Sequence, residues 1–412
     1  MEGIEDYPKE YVDPFLLSLG LLKQCNIVFP PNTDSFWKSN KRLLYMVPLV
    51  ILHYIIMTSF IIKMFIEGLD VFEEVNVIPM WCIITGSTTK QILLMLKRKD
   101  VRETVTQLGA TWRTSGLDEE QIKIKNTVLK WANLLQNLVC KFSIATSWQY
   151  IMMPLCETIV RTFVLRQEDV KLKLPFPGIY PFEITGWYRY LTVYTFQFYC
   201  LFRAVYGYLG SDWIMSILSA ELSIQFLILQ EDLKKLNPQV RESMQIQERD
   251  DEITWNKRKP SDIKIFIRRH QKIIELTNDV NAIFSKLIFT NLLFTSINIC
   301  FFAIAVRAGA GYIWNNCASI IVLIINIFSL CFSSEMIYTT SAGIADAAAS
   351  NPWYLGSLTY QKTMMFIIMR SQKSCRLSSL AYWPIGISTF TAVLTTTWSY
   401  LSLANQMYDG RD

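Results

Sequence analysis

Seven separate stretches of this chain are apolar over a length that crosses a bilayer: about residues 42–66, 74–96, 127–155, 187–211, 279–306, 312–333 and 383–407. A hydrocarbon core roughly 30 Å thick takes about 20 helical residues and leaves no backbone group unpaired. The pattern therefore predicts an all-α membrane protein with seven transmembrane helices. Of 412 residues, 51% are hydrophobic and 18% charged, as that class requires. Met1 to Lys41 carries charges throughout and does not read as a cleavable signal peptide, so the first span is expected to act as the insertion signal.

Lys and Arg set the expected orientation, because they concentrate on the cytoplasmic side. The segment entering the first span carries five, and the loops 97–126, 212–278 and 334–380 carry seven, eleven and four. The alternate loops 67–74, 157–186 and 307–311 and the C-terminal tail carry none, four, one and one. The N-terminus is thus expected in the cytoplasm and the C-terminus outside. The resulting organisation is a cytoplasmic segment 1–41, spans one to four in 42–211, a cytoplasmic segment 212–278, spans five and six in 279–333, a second cytoplasmic segment 334–380, and the last span with a short outer tail in 381–412.

Both inner segments have helical periodicity. Ile217, Leu218, Leu222, Ile224, Leu227, Ile228 and Leu233 prolong the fourth span, and 261–280 leads into the fifth, with a polar break carrying Pro238 and Pro260 between them. Residues 334–349 and 357–370 read as two further helices divided by Asn351, Pro352 and Trp353. Together they predict an intracellular helical anchor bundle. Within it, Lys264, Arg268, Arg269, His270 and Lys272 form a basic amphipathic run, a pattern that binds calmodulin or acidic lipid in other settings; leading straight into the fifth span, it reads here as a cytoplasmic helix extension.

The last span has one hydrated edge. Ser388, Thr391, Thr395, Ser399, Ser402 and Gln406 succeed one another at intervals of three or four, which places them on one face of a helix. Ser and Thr in membrane helices commonly bond back to their own carbonyls. The Gln406 amide has no such local solution, and facing lipid it would be costly. The stripe therefore points to a water-filled path, and since one helix encloses no water, to a ring of subunits.

Other classes are disfavoured. A G-protein-coupled receptor has the opposite orientation, and the chain lacks Asp-Arg-Tyr after the third span and Asn-Pro-x-x-Tyr in the seventh; the cluster Glu248 to Glu252 reads as a solvated loop. There is no phosphate-binding glycine loop, metalloprotease helix or nucleophile elbow, and Gly309 and Gly311 have no following Lys. No enzyme, cofactor or nucleic-acid partner is expected. Nine cysteines without a Cys-x-x-Cys pair imply neither disulfide framework nor zinc site. His53 reads as a packing residue. A secondary transporter would show internal repeats with broken helices, and none is visible.

The C-terminal third carries recognisable motifs. From Phe328 to Tyr354 the order Cys331, Glu335, Ser341, Ala345, Ala348, Trp353 resembles the signature of the insect odorant-receptor family. Lys362 to Lys373, containing Arg370, Ser371 and Gln372, is similar to that family's helix before the last span, and Ser388-Thr389-Phe390 and Ser399-Tyr400 to its final helix. Leu174-Pro175-Phe176, Tyr180-Pro181-Phe182 and Asp212 resemble its second outer loop and fourth helix. The likeness is most specific over 328–407.

The resemblance implies an odorant-gated, non-selective cation channel in the plasma membrane of sensory-neuron dendrites. An odour-tuned subunit joins co-receptor subunits in a heterotetramer through the cytoplasmic bundle, and the last helix of each lines a central pore. Lacking room for the co-receptor's long second cytoplasmic insertion, this chain resembles the tuned subunit. Aligning Ser399-Tyr400 with the family's Thr/Ser-Tyr puts pore and gate at Ser399, Ser402, Leu403, Gln406 and Met407, where apolar rings block permeating cations by dewetting. The tail Tyr408 to Asp412 departs from the family pattern and reads as solvated. A small volatile apolar ligand is expected in the outer half of the bundle, in membrane lipid, between spans two, three, four and six. The matching depth offers Ile83, Ile84, Ser87, Ser143, Thr146, Ser147, Tyr150, Tyr194, Phe198, Ser319 and Leu323. A gustatory-type channel shares the architecture and overlaps in the last-helix pattern; the run 328–354 favours the odorant branch.

Overall fold

The structure is a computed structural model, and it describes residues 4–29, 43–67, 77–167, 172–184, 186–236 and 262–409. Among them are ten α-helices: α1 (Lys9–Gln24), α2 (Leu43–Ile66), α3 (Val77–Leu96), α4 (Arg98–Thr111), α5 (Glu119–Ile159), α6 (Trp187–Lys235), α7 (Asp262–Arg307), α8 (Ile313–Ser350), α9 (Leu358–Gln372) and α10 (Ile387–Asp409). The Glu248–Glu252 cluster, Pro238, Pro260, most of the 67–74 loop and the end of the tail lie outside the described residues.

The seven apolar stretches fall on α2, α3, α5, α6, α7, α8 and α10. By length and composition alone, four of these are apolar enough to cross a membrane: α2, α6, α7 and α8. The other three are diluted by polar side chains, such as Lys90 and Gln91 on α3, Gln136 and Lys141 on α5, and the Ser/Thr series of α10.

Local chemistry sets several helix ends. Asp118 and Gln121 form a reciprocal capping box at the start of α5, followed by Glu119 and Glu120 where the helix dipole favours acids. Gly186, with φ of +82°, turns the chain into α6, a conformation that any side chain would strain. Ser357 accepts from the Tyr360 N–H to cap α9.

Helix α6, 49 residues and about 73 Å long, is the axis of the molecule. It packs on α1, α3, α5, α7 and α8, and Ile214, Leu218, Leu222, Ile224 and Phe226 are fully buried. Leu22 of α1 sits so close to Gly210 that a Cβ there would come 2.7 Å from its Cγ. Further along, the ends of helices converge. Asn351 donates to the carbonyls of Leu233 and Leu236 at 2.9 and 2.7 Å and accepts from the Tyr360 hydroxyl, and Gln230 donates to Thr340 O at 2.6 Å. Arg113 with Asp232, Lys125 with Glu10, and Lys235 with Asp118 add ion pairs at 2.5 to 2.7 Å. Residues 212–236, 262–278 and 334–372 thus pack together with α1, which composition alone did not assign to the bundle.

The last helix starts later than the hydropathy pattern indicates. Ser378–Ser379 pairs antiparallel with Trp383–Pro384, and Leu380 and Ala381 take φ of +49° and +65° in the turn. Left-handed backbone costs roughly 1 kcal/mol per such residue. Asn281 Oδ1 accepts from the Ser378 N–H at 2.7 Å and Ser285 O from the Leu380 N–H at 3.3 Å, so α7 holds the turn. The signature residues secure the segments on either side of it. Glu335 Oε2 accepts from the Ile387 N–H at 3.2 Å, Ser334 donates to Ile385 O at 2.8 Å, and Ser341 Oγ accepts from the Cys375 N–H at 3.0 Å. A Cβ on Gly386 would come 2.4 Å from the Glu335 carboxylate. The motif on α8 therefore fastens the root of α10.

Candidate functional site

A cavity of about 80 Å³ opens between α3, α5, α6, α7 and α8. Its walls are Met80 and Ile83 from α3; Ser143, Thr146, Ser147 and Tyr150 from α5; Leu201, Val205, Tyr208 and Leu209 from α6; Phe302 from α7; and Ser319, Val322, Leu323 and Asn326 from α8. Three of the four Ser and Thr hydroxyls are committed to their own helices: Thr146 donates to Phe142 O, Ser147 to Ser143 O and Ser319 to Asn315 O, at 2.8 to 2.9 Å. They present lone pairs, not hydrogens, to an occupant. Ser143 Oγ is the exception, buried and without a partner.

One wall rests on a buried charge. Lys90, with no exposed side-chain surface, holds both carboxylate oxygens of Asp212 at 2.8 and 2.9 Å, and its ammonium lies 3.3 Å from the centroid of the Tyr208 ring. Asn291 donates to Asp212 at 3.2 Å, and the Tyr208 hydroxyl bonds Asn291 Oδ1 and, at 2.7 Å, Thr295. The network ties α3, α6 and α7 together directly behind a residue that lines the cavity.

A loop covers the opposite side. Phe176 is 1% exposed and stacks on Tyr150 with centroids 5.7 Å apart, while Gln197 receives the Phe176 N–H and donates to its carbonyl and to Tyr180. Beside it, Glu157 gathers Lys173, Arg161 and the Tyr312 hydroxyl. Burial alone would raise that carboxyl; the hydrogen bonds from Lys173 and Tyr312 and the two cationic charges outweigh it and hold Glu157 below the usual carboxylate range.

Of the residues expected to bind ligand, the structure brings Ile83, Ser143, Thr146, Ser147, Tyr150, Ser319 and Leu323 to this one cavity. Four others lie elsewhere. Ile84 is buried in the core, one residue and about 100° round α3 from Ile83. Ser87 donates to Ala204 O at 2.6 Å and joins α3 to α6. Tyr194 bonds the Ile151 carbonyl, and Phe198 packs on Phe202 and Trp148 with centroids 4.6 and 5.3 Å apart. Depth along a helix does not determine the angle around it or the partner that claims a side chain. Missed were Leu201, Val205, Tyr208 and Leu209, which continue the Tyr194 and Phe198 stripe at helical spacing, Met80 and Val322 beside expected positions, and Asn326, three residues after Leu323. Phe302 carried no signal, since the fifth span was left out of the pocket.

The polar series on α10 lies on a face that no described residue covers: Ser388, Thr391, Thr395, Ser399, Ser402 and Gln406 are all exposed. Leu403, 55% exposed, accompanies them. The side chain of Met407 lies outside the described residues. Thr391, Thr395 and Ser399 donate to Ile387, Thr391 and Thr395 carbonyls at 2.9 to 3.3 Å. On the other face Thr397 is buried, and Phe390 meets Phe328 edge-on at 5.5 Å. The helix is held from behind and leaves its wet stripe free.

Residues 71–398 match the family model described as 7tm Odorant receptor. The chain belongs to that family. Among fruit-fly (Drosophila melanogaster) relatives, it is 27% identical to Odorant receptor 67c over 34% of this chain and 35% of that one, and 24% identical to Odorant receptor 49a over 58% and 57%. Those alignments therefore span between a third and three-fifths of the relatives' length; with Odorant receptor 85b the identity is 20%, over 82% of this chain and 83% of the relative. The fold matches the insect olfactory receptor OR5 of Machilis hrabei, solved in complex with eugenol, with a TM-score of 0.76 over 98% of this chain and all of that one at 13% identity. The family match and the four helices long and apolar enough to cross a membrane agree with a helical membrane protein of this fold.

Proposed function

We propose that the chain is an odour-tuned subunit of a ligand-gated, non-selective cation channel, in which an apolar volatile occupies the cavity at Tyr150 and Tyr208 and α10 of each subunit lines a shared pore. The observation that carries the channel reading is the uncovered polar face of α10. A hydrated stripe that is neither buried nor paired across helices suits water and ions, and it needs further subunits to close a ring. Those are expected to be co-receptor subunits in a heterotetramer, assembled through the bundle of α1, α6, α7, α8 and α9. The orientation with the N-terminus inside is inferred from the distribution of Lys and Arg.

Eugenol, the ligand of the OR5 structure, is a small aromatic phenol. A cavity with aromatic and aliphatic walls and a single stripe of hydroxyls has the chemistry for molecules of that kind, and at about 80 Å³ it takes one when its walls move apart. Burial and shape should then supply most of the affinity.

Co-expression with the co-receptor, recording currents across a panel of volatiles, tests the proposal. Ligand-evoked current from the pair and not from this chain alone is expected. Signalling through a G protein without the co-receptor would overturn it. An epitope after Met1 reached only in permeabilised cells, and one after Asp412 reached in intact cells, checks the orientation.

A further inference from the structure

About 24 Å along α6 from Leu209, a second cleft has the opposite chemistry. Arg113 after α4, Gln225 on α6, and Arg268, Arg269 and Lys272 on α7 line a space of about 180 Å³. A water occupies roughly 30 Å³, so a tetrahedral oxyanion fits. The facing charges do not balance. Asp232 takes Arg113 at 2.5 Å and reaches Arg269 at 3.7 Å, and Glu275 takes Lys272 at 3.1 Å. Two carboxylates thus serve three of the four cations at ion-pair distance, Lys272 also donates to Gln107 at 2.9 Å with Asp279 further off, and Arg268 has no carboxylate within ion-pair distance among the described residues.

Gln225 supplies the independent observation. It is 4% exposed, and its amide nitrogen has no acceptor although it lines this cleft. The one hydroxyl present, on Thr111, donates to the Leu108 carbonyl at 2.8 Å. Buried donors ordinarily find a partner. The polar part of the lining, three guanidinium forks, the Lys272 ammonium and the Gln225 N–H, is set among apolar Ile228, Leu229 and Ile273, and suits an acceptor that offers several oxygens and at least two negative charges.

We propose that this cleft binds a phosphate ester, carried either by a soluble polyphosphate or by a phosphorylated lipid headgroup. It lies where the charge distribution assigns the cytoplasm, and the proposal does not depend on what occupies the cavity at Tyr150. Phosphate bound there would draw Arg113, α6 and the start of α7 together within the bundle that assembles subunits.

The purified full chain in phosphatidylcholine nanodiscs would be titrated with inositol hexakisphosphate by calorimetry. In parallel, nanodiscs doped with phosphatidylinositol 4,5-bisphosphate would be compared with phosphatidylserine nanodiscs of equal charge by thermal unfolding. Binding of the soluble probe alone assigns a free polyphosphate, and a thermal shift with the bisphosphate lipid alone assigns a headgroup. Arg268→Gln with Lys272→Gln removes two charge-assisted bonds and is expected to weaken binding on the order of a hundredfold, and Gln225→Leu about tenfold. Arg268→Gln by itself disturbs no described ion pair, and an unchanged Tm without ligand shows that it folds. Absence of binding with both probes, equal binding by the double variant, or an equal shift with phosphatidylserine would overturn the proposal.

Discussion

On α6, Ser211, Ser219 and Ser223 are at most 1% exposed and sit among residues claimed by neighbouring helices; on α10, the five hydroxyl residues of the stripe, Ser388, Thr391, Thr395, Ser399 and Ser402, have the same chemistry and face outward. In both helices the hydroxyls donate to carbonyls one turn back. Hydrogen bonding therefore does not distinguish them. What differs is the surroundings. Along α6 small Ser and Gly residues let other helices approach, and Asp212 is paired with Lys90 of α3. Along α10 the described contacts lie on one side, at Thr397, Phe390 and the Glu335 contact at its root. One helix has its hydroxyls buried among the neighbouring helices, and the other leaves its hydroxyl stripe exposed.

The largest effect expected from breaking this contrast is at the buried pair. Lys90→Met leaves Asp212 uncompensated and should cost about 3–5 kcal/mol, seen as loss of a monodisperse, thermally stable protein. Lys90→Met with Asp212→Leu should recover much of that loss, because a well-packed apolar pair is often no worse than a buried ion pair. A double variant no better than the single one would show that Asp212 is needed by Asn291 independently of Lys90. Next, Asn351→Ala removes two donated bonds at the convergence of α6, α8 and α9 and should lower stability by about 1–3 kcal/mol without altering the cavity.

Sensitivity to ligand separates two tyrosines that look alike in the sequence. Tyr150→Ala opens the cavity wall and should shift odorant dose-response several-fold while currents from a direct co-receptor agonist persist. Tyr194→Ala breaks the bond to Ile151 and should reduce both responses together, as a packing defect does. The smallest effect is at the outer loop. Because Glu157 titrates below its unfolded value, its pairing is present above the ordinary carboxylate range near pH 4.3 and is lost as pH falls through the lower, folded value. A Glu157→Gln variant should therefore differ from the parent by under about 1 kcal/mol at neutral pH, and the gap in unfolding temperature should close in acid.

The helices were legible because hydrophobic period and span length are local properties. So was the α10 stripe, whose six members lie within one helix and keep one angular position. The resemblance motif was legible as a string, but not its purpose: that Glu335 caps α10 and Ser341 holds Cys375 depends on contacts 34 to 52 residues apart. The turn at Leu380 and Ala381 carries no Gly or Asn to announce positive φ; tertiary bonds to Asn281 and Ser285 impose it. Lys90 and Asp212 lie 122 residues apart, so their partnership leaves no local pattern, and Lys90 merely made a span look less apolar.

Whether the uncovered face of α10 lines the ion path is tested most directly by charge at its last polar position. Gln406→Arg, co-expressed with the co-receptor, sets a fixed cation where permeating ions would pass, and at a few ångströms and intermediate dielectric the repulsion is on the order of several kcal/mol. Surface expression should be unchanged, cation current should fall many-fold, and Gln406→Glu should alter divalent permeability. Full current with unchanged ion selectivity in both variants would contradict the account and leave the stripe as a face for helix packing.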